Sequence, residues 1–189
     1  MKNRSQRPRD ARTARRSPKS PWSVPLSLHD VPETGRRIEL AAEPHSRAAV
    51  AALAGLRDLP RLEAAFEVTR YGRADLRVTG RVSATAGQVC VVTLEPMQSE
   101  VDAPVDLVFA PPPAGSADVA AAEIEVAEGA PEPLVGGMVD LGALATEFLI
   151  LALDPHPRKP GAAFAGPSED AAGHPFAALA ALKQRSQRD

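Results

Sequence analysis

The clearest pattern in the chain is an alternation of apolar and polar residues between positions 62 and 82. In the first run, Ala64, Phe66 and Val68 share one side, and mostly polar residues lie opposite. After a Tyr71-Gly72 turn, a second run places these residues on one side: Leu76, Val78, Gly80 and Val82. A period of two residues is typical of strands with one buried face, so both runs are predicted to be strands.

Shorter segments extend this β-rich region. Val101–Phe109 alternates in the same way, and Val89–Leu94 is predicted to be a strand bounded by Gly87 and by Glu95-Pro96. Pro21–Leu28 and Arg37–Leu40 are predicted as two short strands near the N-terminus. Short strands separated by Gly and Pro turns indicate an antiparallel β-meander or partial barrel.

Three segments have helical spacing instead. Ser46–Leu56 is expected to be a helix that Pro60 ends, with an apolar face formed by Val50, Leu53 and Leu56. Asp140 is a good N-cap for a helix over Leu141–Leu153. The predicted apolar stripe of that helix is Leu141, Leu144, Ala145, Phe148, Leu151 and Ala152. Pro175 suits the start of a short third helix, so the expected fold class is α+β with two or three packed helices.

Composition divides the chain into three parts. Residues 1–20 are polar and arginine-rich and are expected to form a disordered arm. Residues 21–153 form the predicted α+β domain, interrupted at 111–133 by a long loop rich in Pro, Ala and acidic residues, with one short strand expected at Glu123–Val126. Residues 154–189 form a linker and the short C-terminal helix.

The formal net charge of −2 hides a strong asymmetry. The first 20 residues carry +7, which leaves −9 on the other 169. The basic residues of the arm are Lys2, Arg4, Arg7, Arg9, Arg12, Arg15, Arg16 and Lys19. Such an arm can follow an RNA phosphate backbone, and it can equally be a solubilising tail.

Catalytic chemistry has little support. Cys90 is the only cysteine, which excludes a disulfide framework and a four-cysteine zinc site within one chain, and its place in a strand pattern favours a small buried side chain. The four histidines (His29, His45, His156 and His174) are expected to be solvated loop residues. A second group consists of carboxylates: Glu95, Glu100, Asp102 and Asp106. They could serve a metal-dependent hydrolase, but the outward face of an amphipathic strand explains them better.

Compartment and cofactors follow from similar arguments. The N-terminus lacks the apolar segment of a signal peptide, and no stretch has the roughly 18–20 apolar residues that a membrane span needs. We therefore expect a cytoplasmic, non-enzymatic protein without a cofactor or bound metal.

Three motifs together resemble the bacterial YceD family, over roughly residues 22–183. The first is a V-x-G strand at Val78–Gly80 followed by a cysteine-bearing segment that ends in Glu95-Pro96. The second is a helix that begins Asp140-Leu141-Gly142, contains Glu147, and precedes Pro157-Arg158. The third is a closing segment, Pro175–Lys183, whose marked residues are Pro175, Phe176, Leu179 and Leu182. Many family members carry a C-x-x-C pair where this chain has Cys90 and Thr93, so a metal site built on that pair is not expected here.

The resemblance implies a role in accumulation or processing of 23S rRNA and in biogenesis of the large ribosomal subunit. It implies as partners 23S rRNA or its precursor, large-subunit ribosomal proteins, or both. Two hypotheses stay open at this point. In one, the protein contacts RNA, with the basic arm as the candidate for phosphate contacts. In the other, it is an adaptor whose acidic body binds a basic ribosomal protein without touching RNA.

Overall fold

A computed structural model describes residues 20–72, 74–111 and 130–164. Within these ranges the fold is α+β, as predicted. The described residues form seven strands: β1 (Pro25–Ser27), β2 (Arg36–Ala41), β3 (Asp58–Tyr71), β4 (Asp75–Val89), β5 (Pro96–Ala110), β6 (Glu132–Pro133) and β7 (Met138–Asp140). The two α-helices are α1 (Pro44–Ala54) and α2 (Leu141–Ala152). Residues 1–19 of the predicted arm, the centre of the predicted loop with Glu123–Val126, and the predicted Pro175–Lys183 helix lie outside the described residues.

Five strands form one open sheet in the order β2-β3-β4-β5-β6. Neighbouring strands are antiparallel except for β5 and the very short β6, which pair in parallel. The predicted meander is therefore confirmed, and the sheet does not close into a barrel. A separate two-stranded sheet joins β1 to β7 and brings the N-terminal segment to the start of α2.

The core lies on one face of the long strands. The predicted inward residues of β3 and β4 are buried there, among them Phe66, Val68, Leu76 and Val78. Helix α1 packs on β3, and α2 packs on β4, β5 and β1. Neither helix is long and apolar enough to cross a membrane.

Gly80 is required by the close approach of two strands. It lies opposite Phe66 on β3 and has a φ of 154°, a value that residues with a side chain rarely adopt. A Cβ atom at this position would lie 2.1 Å from the carbonyl oxygen of Ala65. Only glycine fits here without moving the backbone of β3.

The predicted strand at Val89–Leu94 is wrong. Strand β4 continues through Gly87 to Val89, because Gly87 keeps its place in the ladder opposite Gln98. Residues 90–95 form the turn to β5, closed by Cys90 N donating to the Glu95 carbonyl at 2.9 Å and by Leu94 N donating to the Cys90 carbonyl at 2.9 Å. Cys90 therefore lies at a strand end.

The helix boundaries and faces need smaller corrections. Helix α1 ends at Gly55, which is left-handed with φ 67°, and Pro60 lies within β3. Leu53, predicted to be inward, is 60% exposed. In α2 the buried stripe passes through Leu149, which follows Leu141 and Ala145 at four-residue spacing, and Leu151 is 74% exposed.

Asp140 joins α2 to the N-terminal segment. Its Oδ1 caps the helix as predicted, accepting from Gly142 N at 3.1 Å and Ala143 N at 3.0 Å. The same oxygen accepts from Val24 N at 2.8 Å, and Oδ2 accepts from the Ser23 hydroxyl at 2.5 Å. Gly142 also has no room for a side chain, since a Cβ atom there would lie 2.8 Å from the carbonyl oxygen of Trp22. One carboxylate thus ties together segments 116 and 117 residues apart.

We expect Asp140→Ala to lower the free energy of unfolding by about 2–4 kcal/mol, because the helix loses its cap and the N-terminal segment loses a charged acceptor. Urea unfolding measures this change. Asp30→Ala is the control: Asp30 is exposed on the turn after β1, and its loss should cost no more than about 0.5 kcal/mol. Equal losses in the two variants would contradict the joining role of Asp140.

Candidate functional site

Several residues of the family-like motifs meet at one corner of the domain. This Cys90 corner consists of the turn Cys90–Glu95 and the segment Pro157–Lys159, which follows α2. Val91 N donates to the Pro157 carbonyl at 2.9 Å, and Lys159 Nζ lies 2.8 Å from Glu95 Oε2. The residues just after the predicted domain end at position 153 are therefore packed against β4 and β5 through this turn.

The sulfur of Cys90 is at the centre of the corner. It accepts hydrogen bonds from Thr93 N at 3.5 Å and from Lys159 N at 3.4 Å. The side chain is fully buried, as predicted, but its neighbours are the turn and the Pro157–Lys159 segment and not the main hydrophobic core. Cys90 therefore connects two backbone segments by accepting hydrogen bonds from both. The sequence predicted that it is buried, but not that its sulfur has these hydrogen-bond donors.

These contacts lower the pKa of the Cys90 thiol to about 6. The largest cause is a hydrogen bond with the side chain of Thr93, and the backbone N–H groups of Lys159 and Thr93 add to it. Burial acts in the opposite direction and is the smaller effect, because donors surround the sulfur. The corner favours the thiolate but encloses it, so it holds the turn in place and does not present a nucleophile at the surface.

The other prominent feature is the polar sheet face, the outward side of β2–β5. Its charged residues are Arg37, Glu39, Arg61, Glu63, Glu67, Arg77, Arg81, Glu100, Asp102 and Asp106. Arg77 forms a bidentate pair with Asp106 at 2.9 and 2.8 Å, and Arg61 contacts Glu100 at 2.8 Å. Arg81 pairs with Asp102. The prediction of an outward strand face is confirmed for Glu100, Asp102 and Asp106, but it is wrong for Glu95, which lies in the turn before β5 and pairs with Lys159.

Hydrogen bonds lower the pKa values of two of these carboxylates, Asp106 and Glu100. The pKa of Asp106 lies below its ordinary value because of the Arg77 hydrogen bonds. The pKa of Glu100 is lowered first by the hydroxyl of Thr85 and then by Arg61. Glu100, Asp102 and Asp106 each pair with a different arginine, and in the described ranges no three His, Cys, Asp or Glu side chains could hold a metal ion together.

The acidic balance persists in the described part of the chain. Residues 20–72, 74–111 and 130–164 contain ten Lys and Arg against sixteen Asp and Glu, a difference of −6. The polar sheet face contributes four arginines against six carboxylates. All four arginines of this face are paired with its carboxylates, and five of the six carboxylates are paired in turn.

The remaining predicted residues take mostly structural positions. Pro96 begins β5, Leu141 is buried at the start of α2, Pro157 is buried, and Glu147 and Arg158 are exposed. His29, His45 and His156 are exposed as expected, although His45 lies in the first turn of α1 and not in a loop. Outside the described residues lie His174, the basic arm (Lys2, Arg4, Arg7, Arg9, Arg12, Arg15, Arg16 and Lys19), and Pro175, Phe176, Leu179 and Leu182.

Sequence reasoning missed Lys159 altogether. Its backbone N–H reaches Cys90 across 69 residues, and its amine reaches Glu95 across 64. No local pattern marks such a residue. The only available signal was its position directly after Pro157-Arg158 in the second family-like motif.

Comparison with known proteins gives one match. A family model described as large ribosomal RNA subunit accumulation protein YceD matches residues 78–183, which is 106 of the 189 residues. The match begins within β4, covers β5, the Cys90 corner and α2, and continues beyond the described residues to position 183. No curated protein and no solved structure matches the chain.

We expect Thr93→Val to raise the pKa of Cys90 from about 6 towards its ordinary value, because the largest stabilising contact to the thiolate is lost. Ultraviolet absorbance of the thiolate measures this pKa without ambiguity, since the chain has one cysteine. Thr85→Val is the control, because Thr85 contacts Glu100 on the polar sheet face. Indistinguishable titrations of the two variants would exclude the role of Thr93.

The same pKa makes stability depend on pH. Between about pH 6 and 9 the folded chain binds fewer protons at Cys90 than the unfolded chain, so this contribution to stability rises with pH and is lost as the pH falls through 6. Unfolding of the wild type at several pH values in this window, compared with Cys90→Ser, isolates the contribution.

Proposed function

Because this chain belongs to the YceD family of large ribosomal RNA subunit accumulation proteins, we propose that it is a non-enzymatic cytoplasmic factor that supports 23S rRNA accumulation or processing and large-subunit biogenesis. The family match is the observation that carries the proposal. It covers more than half of the chain and includes the part of the domain that holds the Cys90 corner.

The arrangement of the polar groups supports a binding role. A hydrolase that used Glu100, Asp102 and Asp106 would need at least two of these carboxylates to converge on one ion or water. Each instead pairs with a different arginine: Arg61 on β3 pairs with Glu100, and Arg81 and Arg77 on β4 pair with Asp102 and Asp106. A binding protein needs only a stable, shaped surface, and the open sheet with its two covering helices supplies one.

We expect loss of this protein to reduce 23S rRNA selectively relative to 16S rRNA, because the family is associated with the large subunit. Quantified rRNA and a sucrose-gradient profile of a strain that lacks the protein provide the measurement. Complementation with the wild-type chain should restore both 23S rRNA and large subunits. Unchanged 23S rRNA in the deletion strain would refute the proposed function.

The basic arm is our candidate for direct RNA contact. Its eight Lys and Arg residues could release counterions from an RNA backbone, and the acidic described domain is poorly suited to do so. The arm lacks Phe, Tyr and Trp, so base stacking by the arm itself is not expected.

We expect deletion of residues 2–19 to weaken binding to 23S rRNA fragments. The slope of log K against log salt concentration should become less steep by up to about 6 for single-stranded RNA. A scrambled arm of identical composition is the matched control and should bind like the wild type, because phosphate contacts follow charge and not order. If affinity and salt dependence are unchanged by the deletion, the arm is not the RNA contact.

The acidic described domain favours a second candidate function. The formal net charge of the described residues is −6, which complements the positive charge of basic ribosomal proteins. The chain could therefore act as an adaptor that binds such a protein without touching RNA. Affinity purification from ribonuclease-treated and untreated cells separates the candidates. A large-subunit protein retained after ribonuclease treatment favours the adaptor, and loss of all ribosomal material favours the RNA-bound factor.

A further inference from the structure

An apolar groove of about 330 Å³ lies between the two helices. We call it the helix groove and define it by Leu53 of α1, by Ala143, Ile150 and Leu151 of α2, and by Pro21. Leu53 and Leu151 expose 60% and 74% of their surface, although both lie on helices that otherwise cover the core. A concave surface with several large exposed apolar side chains usually marks a binding site.

We propose that the segment Pro175–Lys183 of the same chain binds in the helix groove. In a helical conformation its large apolar side chains, Phe176, Leu179 and Leu182, lie on one face at three-residue spacing. Glu147 lines the groove, and the segment ends in Lys183, so the charges at its border are complementary. The family match ends at residue 183, which assigns this segment to the same matched unit as α2.

The chain is long enough for this contact. Pro157 lines a neighbouring groove that shares Ile150 with the helix groove, so the chain passes close by after α2. From Phe164, the last described residue, eleven residue steps lead to Pro175 and span up to about 36 Å. A compact domain of roughly this size has a radius of gyration of about 13 Å. The extended linker is therefore about as long as the domain is wide, and it can reach the groove.

The other end of the chain is a poor occupant. Ser20 and Pro21 line the helix groove, so residues 1–19, which precede them in the sequence, are the other candidate occupant. These residues contain Met1 as their only large apolar side chain and carry eight positive charges. Burying them against Leu53 and Leu151 would remove little apolar surface from water.

The test uses the full chain with isotope-labelled Ile and Leu methyl groups in solution NMR. Leu179→Asp should shift the methyl signals of Leu53, Ile150 and Leu151, because a carboxylate cannot stay in the groove. Ala181→Asp is the matched control, since residue 181 lies on the opposite face of the segment; it should leave those signals unchanged. Leu151→Asp, at an exposed position, should accelerate amide exchange of residues 179–183 at least about tenfold without unfolding the domain.

Three results would overturn the proposal. The first is that Leu179→Asp leaves the groove signals where they are in the wild type. The second is that the shifts depend on protein concentration, which would identify a second copy as the occupant. The third is that they arise only after a ribosomal protein or RNA is added, which would identify an external partner. Any of these outcomes leaves the role in 23S rRNA accumulation intact, because that role is tested separately by rRNA levels.

Discussion

Three long strands with one apolar face impose the main constraint on this fold. Strands β3, β4 and β5 are 14 or 15 residues long and present charged side chains on one side and buried side chains on the other. Such a sheet is stable only if other elements cover its apolar side. Helices α1 and α2 provide that cover, and Asp140 fixes where α2 begins and what lies beside it. The Cys90 corner then holds the chain that leaves α2 against the end of the same sheet.

Sequence could predict those parts of the fold that short-range patterns determine. The alternation through Phe66 and Val78 predicted strands and their buried faces, and Asp140 predicted a helix start. The failures have long-range causes. Val91 and Leu94 suggested a strand because they are apolar, yet they lie in a turn whose shape depends on Pro157. Leu53 suited an inward face by spacing, but which residues of α1 are buried depends on how the helix packs on β3.

The candidate site was predictable to a smaller extent. Period-two alternation was enough to place Asp102 and Asp106 on the outward face, but it could not name Arg81 and Arg77 as their partners, because pairing depends on strand register. The environment of Cys90 could not be predicted from the sequence. Its donors come from a turn and from Lys159, which lies 69 residues away. The local pattern of apolar and polar residues does not predict a contact between residues so far apart in the sequence.

The bond from Ser23 to Asp140 has a consequence for the order of events during synthesis. A chain made from its N-terminus presents Trp22 and Leu26 long before their partners exist, since in the described residues β1 pairs with β7 and Trp22 lies against Gly142. At about 5–20 residues per second, the 117 residues between the two ends of that bond take about 6–23 s to make. During that interval the β2–β3–β4 hairpins can form, while β1 and the preceding Trp22 lack the partners that bury them in the folded domain. A factor that shortens or shelters this wait would affect the yield of folded protein without changing its final stability.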